Sequence, residues 1–197
     1  RRNPQDKLTM VKQFKATYKH EWFTGFSTSL SLVNRQLFSA AGSGFSLFNS
    51  AISEYEIRNE FTTNEIVLDV HLGLREKVIG GEFERTVIGS PYPVFDFQYA
   101  YGTPGLLNGD FEFHRAQLKV SQWFNWMSAG WTKYMVETGK VWGTVPYPLM
   151  KIQPGNETFW YDENAFSLMN YYEFMSDEYV SFLVSHHFDG FFLSRIP

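Results

Sequence analysis

The strongest constraint on this chain is a stretch of fifteen residues, Leu8 to Trp22, that alternates in polarity with a period of two. Even positions read Leu8, Met10, Lys12, Phe14, Ala16, Tyr18, His20 and Trp22, and odd positions read Thr9, Val11, Gln13, Lys15, Thr17, Lys19 and Glu21. One face is mostly apolar and ends in aromatics. The other is almost entirely polar. Period two is the signature of a strand, since successive side chains of an extended chain point to opposite faces. Globular strands usually run about five or six residues. A tilted membrane strand needs about 9–11 residues within the hydrocarbon, so the length points to a membrane-spanning β-structure.

The pattern recurs along the chain. Phe23-Thr24-Gly25 reads as a tight turn. Phe26 to Phe38 then sets Phe26, Thr28, Leu30 and Leu32 against Ser27, Ser29, Ser31 and Arg35. Residues 39–54 read as a loop with a short strand near 44–52. Ile66, Leu68, Val70, Leu72 and Leu74 oppose Glu65, Asp69, His71 and Arg75. Glu76 to Glu82 reads as a turn. Phe83–Gly89 and Val94–Tyr101 read as strand-like pieces interrupted by Ser90-Pro91-Tyr92-Pro93, because proline cannot donate to a ladder. Phe111–Trp123, Ser128–Val141 and Tyr179–Phe188 read as further strands, with a turn at Trp123-Phe124-Asn125-Trp126 and another strand beginning at Phe191.

The expected fold is therefore all-β: an antiparallel transmembrane β-barrel, as an incomplete segment of roughly eight or nine strands forming one domain over 1–197, with a long loop near 143–178.

Composition agrees with that class. Of 197 residues, 19% are aromatic, and barrels carry aromatic girdles at both membrane interfaces. Tyr18, Trp22, Trp123, Trp126, Trp131 and Trp142 are the expected belt residues. The mean hydropathy of −0.28 fits as well, since a barrel strand shows lipid only at every second residue. No run of about eighteen apolar residues is present, which excludes a helical span. There are no cysteines, so a disulfide framework and a thiolate metal site are excluded. The net charge of −4 argues against nucleic acid as a partner, since phosphate binding needs a basic face. No apolar leader follows Arg1-Arg2-Asn3-Pro4, which fits a mature chain or an internal piece truncated at both ends.

Three stretches carry a resemblance. The first is Thr63-Asn64-Glu65-Ile66 with Phe83-Glu84-Arg85 and Gly89-Ser90-Pro91-Tyr92-Pro93-Val94-Phe95. The second is Gly143-Thr144-Val145-Pro146-Tyr147-Pro148-Leu149 with Pro154-Gly155-Asn156. The third runs from Phe166-Ser167-Leu168-Met169-Asn170 through Tyr171-Tyr172-Glu173-Phe174 and Ser176-Asp177-Glu178-Tyr179 to His186-His187-Phe188-Asp189-Gly190 and Ser194-Arg195-Ile196-Pro197. Over the last two-thirds of its length the chain resembles Bacteroidota outer-membrane proteins of unknown function. These carry an N-terminal carboxypeptidase-regulatory-like domain and a C-terminal barrel. The resemblance implies a longer natural protein with a small periplasmic β-sandwich before the barrel. It also implies a barrel distantly similar to the BamA-type assembly and secretion superfamily. On that analogy Pro146–Phe174 is the loop that folds back into the lumen, with Pro146, Tyr147, Pro148, Gly155, Asn156 and Glu173 as its marker residues. That superfamily carries an Arg-Gly-aromatic tip there, whereas the nearest text here, Gly155-Asn156-Glu157, has no arginine.

The expected lumen-facing residues are Lys15, Lys19, Glu21, Arg35, Glu65, Asp69, Arg75, Arg115 and Lys119. Their mixed signs speak for a salt-bridged interior rather than strong ion selectivity. His186 and His187 are neighbours on a strand and point to opposite faces, so they do not share one metal ion, and no metal or other cofactor is expected. No serine lies in a nucleophile elbow, so an enzyme is not expected.

The functional expectation is an integral protein of the bacterial outer membrane, either a conduit or a component of a protein assembly or secretion complex. Its expected partners are membrane lipid, lipopolysaccharide and other outer-membrane or periplasmic proteins. The alternatives are a soluble ligand-binding cup of lipocalin type, which would show the same alternation, and a membrane-embedded hydrolase.

Overall fold

The computed structural model of the chain describes residues 8–40, 44–49, 54–80, 85–156, 159, 160, 162, 164–170 and 172–190. Thirteen strands form among them: β1 (Thr9–Phe23), β2 (Phe26–Ser39), β3 (Phe45–Asn49), β4 (Glu54–Arg58), β5 (Glu60–Gly73), β6 (Lys77–Gly80), β7 (Arg85–Gly89), β8 (Val94–Gly102), β9 (Phe113–Asn125), β10 (Trp131–Trp142), β11 (Lys151–Ile152), β12 (Met175–Ser176) and β13 (Glu178–His187). Three short 3-10 turns are present as well, and among the described residues no helix is long and apolar enough to cross a membrane.

Seven strands build one antiparallel sheet in the order β1-β2-β5-β8-β9-β10-β13. Each strand pairs with the next long strand in the chain, so the sheet is a simple meander. The remaining strands are hairpins within its connections: β3–β4 between β2 and β5, β6–β7 between β5 and β8, and β11–β12 between β10 and β13. The expected count of eight or nine passes becomes seven among the described residues, because β3 and β7, the described parts of the pieces expected at 44–52 and 83–89, are arms of side hairpins. Among the described residues the sheet is open, with β1 and β13 as its edges.

Two other expectations are corrected, and one falls outside the described residues. The supposed turn at 76–82 contains β6. The turn expected at Trp123–Trp126 lies at 126–130, since β9 runs on to Asn125. The strand expected to begin at Phe191 lies outside the described residues, as do Phe83 and Glu84.

The strand ends are staggered in one direction. The hydrogen-bonded row His20, Thr28, Val70, Phe97, Leu118, Thr138 and Val180 crosses all seven strands. On the side of the β1–β2 turn, His20 stands three residues from the end of β1 at Phe23, whereas Val180 stands seven from the end of β13 at His187. On the other side, His20 stands eleven residues from Thr9 and Val180 only two from Glu178. The sheet is sheared: its strands are tilted relative to the line joining their ends.

The β1–β2 turn needs a residue with no side chain. Gly25 has φ +90°, and a Cβ there would lie 1.9 Å from the carbonyl oxygen of Gly73. The Gly73 amide donates to the Gly25 carbonyl at 2.6 Å, which docks this turn on the end of β5.

The two faces differ in what covers them. One carries Ser31, Val33, Leu37, Phe61, Glu65, Val67, Ala100, Phe113 and Val141, all buried. Connections fold over it, and Phe45, Leu47, Val145 and Leu149 close a core cluster against Leu37, Phe61, Phe113 and Val141. Burying such a side chain contributes about 1.5–3 kcal/mol. The other face is bare. It presents Phe14, Tyr18, Leu30, Leu32, Ile66, Leu68, Phe95, Phe97, Leu118, Val180, Phe182 and Val184, all exposed.

Aromatics gather at the ends of the bare face. At the short-turn end, the Trp22 indole donates to Thr28 Oγ1 at 3.0 Å and the Trp126 indole to Thr132 Oγ1 at 2.8 Å, so the same device is used at two separate hairpins. At the far end, Tyr101 stacks on His114 at 4.8 Å. Trp123 and Trp131 depart from the expected belt. Their register puts them on the covered face, 6.2 Å apart, with His187 stacked on Trp131 at 3.9 Å.

Candidate functional site

Polar side chains at odd positions of β1 and β2 share a face, through the strand register, with their counterparts on β5, β8 and β9. That register sets Lys15, Lys19, Glu21, Arg35, Glu65, Asp69, Arg115 and Lys119 on the covered face. Arg75 departs from the group. It lies past the end of β5 with φ 53°, and its guanidinium stands 5.7 Å over the ring of Tyr92.

Glu65 is the centre of this face and its side chain is fully buried. Arg35 Nη1 donates to Oε1 at 2.9 Å and Arg115 Nη2 to Oε2 at 3.0 Å, so each carboxylate oxygen holds one guanidinium. Arg115 sits two strands away on β9 and reaches over β8. It can do so because β8 presents only Ala100 and Gly102 at the crossing, opposite Arg115 and Phe113. A Cβ on Gly102 would lie 2.4 Å from the Phe113 ring. Arg35 Nε also donates to Gln13 Oε1 at 3.1 Å, which ties edge strand β1 into the network. Asp69 accepts from Ser29 Oγ at 3.1 Å and Gln98 Nε2 at 2.7 Å.

A second hub escaped the sequence reading. Glu137 on β10 accepts from Tyr179 Oη at 2.7 Å and from Gln117 Nε2 at 3.1 Å, and it pairs with Lys151. The signal was present, since Glu137 shares the strand parity of Lys133 within a segment that reads as a strand. Lys151 was not legible, because it comes from the long connection and reaches the sheet only in the folded chain. Its ammonium also stands 5.1 Å over the Tyr179 ring.

Two described parts of the connection 143–177 pack on the covered face. Val145, Pro146 and Leu149 are buried, while Tyr147 and Pro148 are half-buried, with Tyr147 5.8 Å from Phe45. Farther along, Phe166 and Ser167 line a cleft of about 210 Å³ with Met135 and Leu183 of the covered face. Gly155 pairs with Phe166 across a parallel bridge, and the Asn156 amide donates to the Phe166 carbonyl at 3.2 Å. Asn156 Nδ2 donates to the Trp160 carbonyl at 2.8 Å. Glu173 is exposed and closes a local turn by accepting from the Asn170 amide at 2.8 Å.

Gly155 is the tightest point of this fold-back. A Cβ there would lie 2.5 Å from the Met169 carbonyl oxygen and 2.6 Å from that of Asn170. Gly155→Val is therefore expected to detach the returning strand of the loop. Limited proteolysis should read this as new cleavage between 155 and 177, with the seven-stranded sheet retained by circular dichroism.

At the short-turn end, His71 lies between two carboxylates. Its Nδ1 is 2.6 Å from Asp96 Oδ1 and its Nε2 is 3.0 Å from Glu76 Oε1. Glu76 stands in the turn after β5 with its side chain almost buried, so this contact ties the base of the β6–β7 connection to the sheet.

No curated protein and no solved structure matches the chain. A family model does: residues 10–197 match the C-terminal domain described as "Family of unknown function (DUF5686)". With nearly its whole length covered, the chain belongs to that family of unknown function as its C-terminal domain.

Proposed function

We propose that this chain forms part of the wall of a transmembrane β-barrel in a bacterial outer membrane, with its covered face lining the lumen. The observation that carries this reading is the bare apolar face, which runs across all seven strands without a covering layer. Soluble proteins rarely expose a contiguous apolar patch beyond a few hundred Å². A lipid-facing barrel wall must be apolar outside and can be polar inside.

The polarity of the two faces also separates this reading from the lipocalin-type cup. Such a cup turns its apolar residues inward and its polar face to water. Here the protected face holds Glu65, Arg35, Arg115, Asp69 and Glu137, and the apolar face is the unprotected one. The sheared register supports closure as well, since strands must tilt and stagger for a sheet to curl into a barrel. Paired indoles at the short turns fit an interfacial belt.

Within that class, an assembly or secretion component fits better than an open pore. The β3–β4 hairpin and residues 145–149 of the following connection place an apolar cluster on one end of the covered face, which supports a filled interior over a wide aqueous channel. The resemblance adds two further parts to the proposal: a Bacteroidota source and a small periplasmic β-sandwich ahead of the barrel.

Fractionation tests the reading. The protein should stay with outer-membrane pellets through urea or carbonate washing, dissolve only in detergent, and migrate differently on gels before and after boiling. Full recovery in buffer without detergent would exclude the membrane.

A further inference from the structure

The β6–β7 hairpin stands over the covered face at the short-turn end. Val78 of β6 and Val87 of β7 line one side of a cavity of about 400 Å³, with Ser27, Ser29 and His71 of the sheet on the other. The hairpin adds little packing of its own, since Ile79, Val87 and Ile88 are exposed. At its base the Ser90 hydroxyl donates to the Leu74 carbonyl at 2.7 Å, which joins the two legs of the connection to each other. His71 carries the connection onto the covered face, through Glu76. Glu76 reaches it because Gly73 has no side chain: a Cβ there would lie 2.1 Å from Glu76 Oε1.

Proton counting makes this tie conditional. Ionised carboxylates only accept hydrogen bonds, and a neutral imidazole carries one N–H. The two contacts, Nδ1 to Asp96 and Nε2 to Glu76, therefore need two protons. The imidazolium supplies both. A neutral ring supplies one and turns a lone pair toward the other carboxylate. Glu76 is the partner that gives way. Its side chain is 4% exposed, so as an ion without a donor it bears the cost of burial, whereas Asp96 is 45% exposed and keeps water. Glu76 also stands in a turn and can swing out, while Asp96 is fixed in β8.

The other charged groups around the ring are of both signs. Lys19 and Glu21 face the cavity from β1 and Asp69 from β5, and Lys119 of β9 stands beside Asp96 in the register. The cavity residues of β2 and of the hairpin are uncharged. Asp69 is held by Ser29 and Gln98. Two amines and two further carboxylates offset in sign, which leaves Glu76 and Asp96, in hydrogen-bond contact, to set the charge of His71.

We propose that the β6–β7 hairpin is a proton-controlled lid over the covered face: a doubly protonated His71 latches it through Glu76, and loss of one proton releases it. Histidine side chains change charge between about pH 5 and 8, so the lid is held at the acidic end of that range and released at the basic end. In the barrel reading it closes the short-turn mouth of the lumen. The latch itself rests on the covered face alone and does not depend on the membrane reading.

The chain has no cysteine, so a single introduced one reports the lid. Val78→Cys, on the cavity, and Ile79→Cys, exposed and outside it, are labelled in the detergent-purified protein with a charged thiol reagent. Their rate ratio removes the intrinsic pH dependence of the thiol. The ratio is expected to rise about threefold or more between about pH 5.5 and 8.5. His71→Gln should give the high ratio at both pH values. Glu76→Gln should give the low ratio at both, because its amide N–H donates to the lone pair of a neutral ring. Asp96→Asn, at a half-exposed position, should do the same for the same reason. Circular dichroism confirms that each variant is folded. A ratio independent of pH in the parent, or an undiminished pH response in folded Glu76→Gln or Asp96→Asn, would each overturn the proposal. A chain that shows the response yet fractionates as a soluble protein would keep the lid and remove the barrel.

Discussion

Leu118→Arg is expected to cost about 2–4 kcal/mol of stability in lipid, the penalty for a cationic side chain at the midplane of a barrel's lipid face. Leu118 sits near the centre of β9 on the bare face, in the row with Val70 and Phe97. The same change on a water-facing strand would move stability by about 0.5 kcal/mol or less. The size of the loss therefore reports the solvent on that face. Lys119→Arg is the internal control: one residue along, it points to the covered face and should be nearly neutral. Urea titration of the protein folded into vesicles, read by the heat-shifted gel band, gives both numbers. A Leu118→Arg variant as stable as the parent would remove the lipid from that face.

Glu65→Ala should be the most damaging single truncation on the covered face. It deletes the shared acceptor of Arg35 and Arg115 and leaves two guanidiniums without their carboxylate. Breaking a buried ion pair from one side typically costs about 3–5 kcal/mol, because the orphaned charge keeps its desolvation penalty. Both arginines retain partial solvent access, with side chains 27% and 21% exposed, which places the expectation at the lower end, about 3 kcal/mol. Arg35→Met with Arg115→Met in the Glu65→Ala background removes the orphaned charges and should recover part of the loss. Urea midpoints of the parent, Glu65→Ala, the Arg35→Met/Arg115→Met double variant and the triple variant measure this coupling. Additive effects across them would show that the three side chains do not act together.

Much of the sheet was legible because alternation is a local property. The even residues of β1 and β2 face one way whatever else the chain does, so Lys15, Lys19, Glu21 and Arg35 could be assigned a shared face from spacing alone. Glu65, Asp69, Arg115 and Lys119 joined them for the same reason. Arg75 did not, because a strand's end is set by the turn that follows, and here the chain leaves the ladder at Gly73. Trp123 and Trp131 were misassigned for a related reason. An aromatic near a strand end fits a belt by composition, but its parity relative to the neighbouring strands decides which face it takes.

Short hairpins were the other loss. β3–β4 and β6–β7 carry too few alternating positions to stand out, and β4 presents five exposed residues in a row, so polarity gives no period to read.

Sequence by itself determined the all-β class, the approximate limits of the long strands and the division of most residues between two faces. All three follow from the two-residue repeat of an extended chain. Tertiary structure alone decided which of those faces is covered, because alternation is symmetric and the same pattern serves a cup or a membrane wall. It also decided that seven strands share one sheet, that Glu65 gathers charges from two other strands, and that Lys151 reaches Glu137 from the long connection after β10. Those contacts join residues 14 to 50 positions apart, and no local spacing encodes where such a return will land.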